Sequence, residues 1–421
     1  MGLTVGAIAD DFTGALDLAN NFVRAGLSVA HVNGVDESAT PPADVDVVVV
    51  ALKTRTAPIE EAIAHSREAL RWLVRNGATK FYVKYCSTFD STPSGNIGPI
   101  VDMAMDELKV AQAVAVPSFP DTGRTVFQGH LFVGDRLLAE SSMRHHPLTP
   151  MTDSDVVRLL APQTRRAAAS IARRHVAAGR VALRGELDRL TEEIGPSIVV
   201  VDAIDNNDLQ TIADAVAADA LVTGGSGLAL SLPAAWGLNH QAAGELPVPR
   251  GHRAIVAGSV STRTNEQVAQ YPGPKFRIEP ALLGDTDVVT EAVNWAVKQL
   301  HSNRTPLIYS TASPDDVAQA QLRLGALQVG AAIEEALSSI AVRLVAHGVG
   351  QLVVAGGETS GACMQALGIR ELRIGRQIDP GVPWAHGRSA DGHDLHIALK
   401  SGNFGAEDFF TKAFEELYER V

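Results

Sequence analysis

The strongest constraint on this chain is the alternation of short, uniformly apolar runs with amphipathic stretches. LTVGAIAD precedes TGALDLANNFVRAG, VDVVVVALK precedes PIEEAIAHSREALRWLVRNG, and KFYVKY, AQAVAVP and SIVVVDA follow. A strand that is apolar at every position needs cover on both faces, so the pattern predicts parallel sheet flanked by helices. At 421 residues the chain exceeds one ordinary core, since domains typically hold about 100–200 residues. The alternation breaks at GELPVPRGHR, residues 244–253, where Pro and Gly replace periodicity. It resumes through AIVAGS, PLIYSTA, QLVVAGGE, ELRIG and LHIALKSG, with the helical VVTEAVNWAVKQLHS and AAIEEALSSIAVRLVAHG between them. The expectation is an α/β fold of two domains, residues 1–245 and 254–421, each with a mainly parallel sheet flanked by helices. The Ala-rich, basic stretch RRAAASIARRH reads as a solvated helix.

Several function classes drop out. The formal charge is −12 and the basic residues are scattered, so no face offers the Lys/Arg stripe that a phosphate backbone requires, and nucleic acid is not an expected partner. No apolar run reaches the roughly 18–20 residues that span a bilayer. Cys86 and Cys363 are the only cysteines, too few and too far apart for a disulfide framework or metal cluster. With no basic, apolar leader after Met1, the expected location is the cytoplasm. The sequence leaves a homo-oligomer open.

In open parallel sheets, ligands bind where strands end and helices begin. In the first domain those loops carry Asp10 and Asp11, Lys53 and Arg55, Lys84 and Asp90, and Arg124. Such groups pair with a carboxylate and accept a hydroxyl proton, which suits a hydroxy-acid. The second domain offers Ser259, Ser310 with Thr311, the run Gly356 to Ser360, and Gly402. Glycine and helix N-termini let backbone N–H groups approach a polyphosphate, which suits a nucleotide. GGETSGA has the glycine spacing of a P-loop but Ala362 in place of its lysine. LVTGGSGLA serves equally as a second ligand loop or as tight packing. Asp10 and Asp11 also admit a structural reading, with Thr13 capping the next helix. Cys86 reads as a buried thiol, and His145 and His146 as surface or hydrogen-bonding residues. The turn ADDFTGA lacks GxGxxG, which argues against a dehydrogenase.

The segments IADDFTGALD, ALKTR, KYCSTFDSTPSGNIGP, GRTVFQGHLFV, LAESSMRHHPLTPMTDS, LVTGGSGLA, VVAGGETSGA, IGRQIDPGVPW and LKSGNFG together resemble the four-carbon acid sugar kinases, most closely the 3-oxo-tetronate 4-kinase branch. The resemblance spans nearly the whole chain. It implies an N-terminal acid-sugar domain and a C-terminal nucleotide domain, with transfer of the γ-phosphoryl of ATP to the C4 hydroxyl of 3-oxo-tetronate and Mg²⁺ on the phosphates. Residue by residue, it places nucleotide contacts on Ser259, Gly357, Glu358, Thr359, Ser360 and Gly402. Substrate contacts would fall on Lys53, Arg55, Lys84, Asp90 and Arg124, and the catalytic carboxylate on Asp11, with Asp10 second. A kinase for D-threonate or erythronate, or an acid-sugar binding protein without catalysis, are the alternatives.

Overall fold

The computed structural model describes residues 3–36, 40–145, 149–238, 244–279, 287–310 and 326–418. His146 and Thr311 lie outside them. The chain forms two compact units, Met1–Gly244 and Glu245–Val421.

The first unit contains β1 (Val5–Ala9), β2 (Val29–Asn33), β3 (Val47–Ala51), β4 (Lys80–Lys84), β5 (Gln112–Val116), β6 (Arg124–Phe127), β7 (His130–Val133), β8 (Arg136–Leu137), β9 (Ala167–Ile171), β10 (Ser197–Val201) and β11 (Leu221–Gly224). Eight of these form a parallel sheet in the order β2-β3-β1-β4-β11-β5-β10-β9. The other three, β6, β7 and β8, make a small antiparallel sheet. Val47 to Ala51 are all buried, as a central strand covered on both faces requires. Burial of each such valine contributes about 1.5–3 kcal/mol. The register aligns Ala9 with Ala51 and Lys84, and Lys84 with Gly224. The chain therefore leaves the sheet along one edge into Asp10–Asp11, Lys53–Arg55, Tyr85–Asp90 and Gly225–Gly227.

One expectation fails here. RRAAASIARRH is not a helix along its length, because Ala167–Ile171 is an edge strand paired in parallel with β10. Helix begins only at Arg173–Ala177. The helix preference of alanine is a fraction of a kcal/mol per residue, and the open edge of β10 outweighs it by offering a ladder of backbone partners.

The second unit contains β12 (His252–Ala257), β13 (Lys275–Arg277), β14 (Leu307–Tyr309), β15 (Val349–Ala355), β16 (Glu371–Asp379), β17 (Val382–Arg388) and β18 (Asp394–Lys400). Their order is β13-β14-β12-β15-β18-β17-β16. The first five are parallel, while β17 runs antiparallel to both β18 and β16. A core of Ile255, Leu307, Val353, Trp384, Phe409 and Phe410 lies on one face, and the Trp384 indole N–H donates to the Ala413 carbonyl at 2.7 Å. Ala257 aligns with Tyr309 and Ala355, and Ala355 with Lys400. Ser310, Ser259, Gly356 and Ser401 thus leave neighbouring strands at one edge.

The LVTGGSGLA loop takes the packing reading. A Cβ on Gly224 would stand 2.2 Å from the Val116 carbonyl oxygen, one on Gly225 2.7 Å from that of Pro117, and one on Gly227 2.6 Å from that of Ser118. These are backbone contacts and cannot swing aside. Gly224→Ala is expected to cost about 1–3 kcal/mol, read as a lower urea midpoint; an unchanged midpoint would remove the packing explanation.

Candidate functional site

Asp10 follows β1 and is 8% exposed. Its carbonyl accepts the amides of Thr54 at 3.1 Å and Arg55 at 3.2 Å, pinning the loop after β3 to the loop after β1. Asn96 braces the same loop, donating to the Thr54 carbonyl at 2.6 Å and to that of Ala57 at 2.8 Å. Held this way, Arg55 clamps Asp10 with Nε on Oδ2 at 2.8 Å and Nη2 on Oδ1 at 3.0 Å. Nη2 also lies 3.0 Å from Asp11 Oδ1, and Nη1 lies 4.0 Å from Asp90 Oδ2. One guanidinium therefore gathers three carboxylates that would otherwise repel one another.

Asp11 has a second task. It is the N-cap of the helix Phe12–Arg24, accepting the Gly14 amide at 2.8 Å and the Thr13 hydroxyl at 3.2 Å. The cap is Asp11, and Thr13 braces it. Lys84 ends β4 almost fully buried, its ammonium donating to the Tyr85 carbonyl at 2.9 Å. Asp90, also buried, accepts the Thr88 hydroxyl at 2.6 Å. Lys53 is exposed, with Nζ 5.4 Å from the centre of the Phe12 ring.

Arg124 stands apart from this clamp. Its Nη1 donates to the Thr122 carbonyl, its Nε is buried without a partner, and its charge is felt at Asp17. Asp17, on the buried side of the helix Phe12–Arg24, accepts the Ser226 hydroxyl. Neither Asp17 nor Ser226 stood out in the sequence.

Burial pushes the Asp10 carboxyl above its ordinary range, against the pull of Arg55. Burial acts on Asp11 too, but Arg55, Lys84, the Gly14 amide and the Thr13 hydroxyl outweigh it and hold that carboxyl below its ordinary range. Asp11 is thus an ionised carboxylate at neutral pH and the more exposed of the pair. Burial pushes the Cys86 thiol up to about 12, too high for a nucleophile. The cavity among Asp10, Thr54, Lys84, Asp90 and Asn96 measures about 20 Å³, little more than a single water.

In the second unit, Gly356 adopts φ 125°, a conformation open to glycine. Its amide donates to the Lys400 carbonyl at 2.9 Å, and its carbonyl accepts the Ser360 amide at 2.8 Å as the helix Gly357–Ala366 begins. First-turn amides have no intrahelical acceptor, which leaves those of Gly357, Glu358 and Thr359 available to an anion. Among the described residues, a Cβ on Gly357 would meet nothing within 4 Å, and Glu358 is exposed. The Thr359 and Ser360 side chains are buried, Thr359 against the Cα of Gly258. Of the four expected contacts, then, Gly357 and Glu358 face outward and Thr359 can contribute through its amide, whereas the Ser360 amide is already taken by the Gly356 carbonyl.

Gly402 packs so closely on Ser259 that a Cβ would stand 2.3 Å from its hydroxyl oxygen. Its carbonyl accepts from the Ser261 hydroxyl at 2.7 Å, the Thr264 hydroxyl at 2.8 Å and Lys400 Nζ at 3.1 Å. Ser259, the Gly356–Glu358 turn and Gly402 are therefore neighbours, resting on a lysine that the sequence presented only as a strand residue. Among the described residues there is no group of three or more His, Cys, Asp or Glu able to hold a metal, and no helix long and apolar enough to cross a membrane.

Comparison with known proteins agrees with this division of chemistry. Residues 5–232 match a sugar-binding N-terminal domain and residues 254–410 a nucleotide-binding C-terminal domain. A 3-oxo-tetronate kinase of Burkholderia multivorans is 47% identical over 422 residues, 98% of this chain and 97% of its own. One from Haemophilus influenzae is 41% identical over 412 residues, covering 97% of this chain and 98% of its own. A crystal structure from Salmonella typhimurium LT2, described as a putative tRNA synthase, is similar with a TM-score of 0.89 at 41% identity, covering 98% of this chain and 99% of that one. Identity at this level over both domains shows that the chain belongs to the 3-oxo-tetronate kinase family.

Proposed function

We propose that this protein uses ATP to phosphorylate the C4 hydroxyl of 3-oxo-tetronate, giving 3-oxo-tetronate 4-phosphate and ADP in four-carbon acid sugar catabolism. The observation that carries this reading is the split in chemistry between the two units. One gathers Asp10, Asp11 and Asp90 around Arg55. The other presents free first-turn amides beside Gly402 and Ser259, with few charges.

Phosphoryl transfer asks a protein for positioning and charge neutralisation more than for covalent chemistry. The alcohol oxygen bonds to the γ-phosphorus, the bond to the bridging oxygen of ADP breaks, and the hydroxyl proton passes to Asp11. Asp11 takes this role ahead of Asp10 because it is the more accessible of the pair and its Oδ2 meets the Thr13 hydroxyl rather than a cation, whereas both oxygens of Asp10 are held by Arg55. Lys53 and Lys84 provide positive charge for the acid's carboxylate, Arg55 and Asp90 shape the pocket floor, and Arg124, apart from the clamp, adds positive charge on the side of Asp17. Gly357, Glu358 and Thr359 bind phosphate through their amides, with Ser259 and Gly402 beside them.

Mg²⁺ suits this donor set, because it takes one or two carboxylates together with substrate phosphates and water. Glu358, exposed on the helix's first turn, is the carboxylate that would hold it, and the bound ion would neutralise charge on the phosphate oxygens. Dependence on ATP, together with two free thiols, supports a cytoplasmic location.

Three measurements test this reading. Asp11→Asn keeps a capping residue, since asparagine caps as well as aspartate, so the protein should stay folded while kcat falls about 10²–10⁴-fold, the usual weight of acid–base catalysis. Near-normal turnover in both Asp11→Asn and Asp10→Asn would remove the base assignment. Gly357→Val places a side chain where nothing else contacts it, and should raise the KM for ATP at least about tenfold without changing the melting temperature. Unchanged ATP kinetics would mean the nucleotide loop is misplaced. An ADP-release assay across 3-oxo-tetronate, threonate and erythronate stereoisomers should give 3-oxo-tetronate the highest kcat/KM; a higher value for another acid would reassign the substrate.

A further inference from the structure

Lys400 is the last residue of β18 and is 0% exposed. Its ammonium donates at 3.1 Å to each of three neutral oxygens: the Thr264 hydroxyl, the Ser401 carbonyl and the Gly402 carbonyl. Its own carbonyl accepts the Gly356 amide at 2.9 Å. One residue therefore ties together the helix after β12, through Thr264, the Gly356 turn after β15, and Gly402 after β18.

Among the described residues, no carboxylate pairs with this ammonium. Arg263 is a charged neighbour bearing on it, and is itself paired with Glu266 at 3.0 Å and Glu407 at 3.4 Å. A buried cation satisfied only by neutral oxygens is costly, and an apolar side chain of similar volume would hold a purely structural position more cheaply. The charge is explained if an anion arrives from outside the chain. We infer that Lys400 is a positioning residue for the phosphates of the nucleotide, holding the Gly402 and Thr264 groups in place and setting one positive charge beneath the cradle. This rests on the assignment of the nucleotide to the second unit. Burial, with Arg263 adding to it, pulls the Lys400 ammonium down to about 7. Above that pH the free protein holds a neutral amine, and a bound polyphosphate restores the ammonium by proton uptake.

The test uses the full chain and Lys400→Met, which removes a buried charge and keeps most of the volume. The expected result is a melting temperature equal to or above wild type, a KM for ATP raised at least about tenfold, and an unchanged KM for the acid. Calorimetry of ADP binding at pH 8.0 in buffers of different ionisation enthalpy should show uptake of up to about one proton by wild type and none by the variant. Lys400→Met with wild-type ATP KM and ADP affinity would overturn the inference. Should the variant fail to fold, ADP binding to wild type at pH 8.0 without net proton uptake overturns it. Gly357→Val separates the two levels: if that variant loses ATP affinity while Lys400→Met does not, the nucleotide site stands and the role of Lys400 falls.

Discussion

Parallel pairing obliges every strand of a sheet to end at the same edge, and both candidate sites follow from that constraint. In the first unit it brings Asp10, Arg55, Lys84 and Asp90 together from three separate turns, although they span 80 positions of sequence. In the second it lines up Ser259, Gly356 and Ser401 from three neighbouring strands. Two of the paths are special: Phe89, just before Asp90, has φ 53°, and Gly356 has φ 125°. The chemistry at each edge can therefore differ while the scaffold stays the same.

Much of this was legible because a parallel sheet writes itself locally. A run such as Val47 to Ala51 is buried on both faces and can be read from five letters. The strand-end positions of Asp10, Asp11, Gly356 and Gly402 then follow from the strand pattern alone. The parts that escaped depend on distant partners. Asn96 reaches back 42 residues to hold the Thr54 carbonyl, and Ser226 reaches Asp17 across 209; neither leaves a local signature. β9 was read as helix because its alanines carry no pairing information of their own. β17, VPWAHGR, was missed because proline, glycine and histidine interrupt the apolar pattern, while a Pro380–Gly381 turn returns it beside β16. Lys400 was hidden differently, since a lysine closing a strand ordinarily marks solvent, and only its complete burial sets it apart.

The two edges also solve an electrostatic problem in different ways. Three carboxylates in the first unit need a cation that can address several oxygens in one plane, which a guanidinium does and an ammonium does not. Arg55 is bound into the structure by that demand, so its conformation is set before any ligand arrives. A phosphate site made of lysines and arginines alone would carry the reverse burden, with unpaired cations repelling one another whenever the nucleotide is absent. First-turn amides avoid this, because their partial charges are fixed by the helix and stay solvated or hydrogen-bonded without an anion. Lys400 is the single departure from that scheme. Its position beneath Gly402, touching neutral oxygens among the described residues, makes sense for a charge whose counter-ion is the ligand itself.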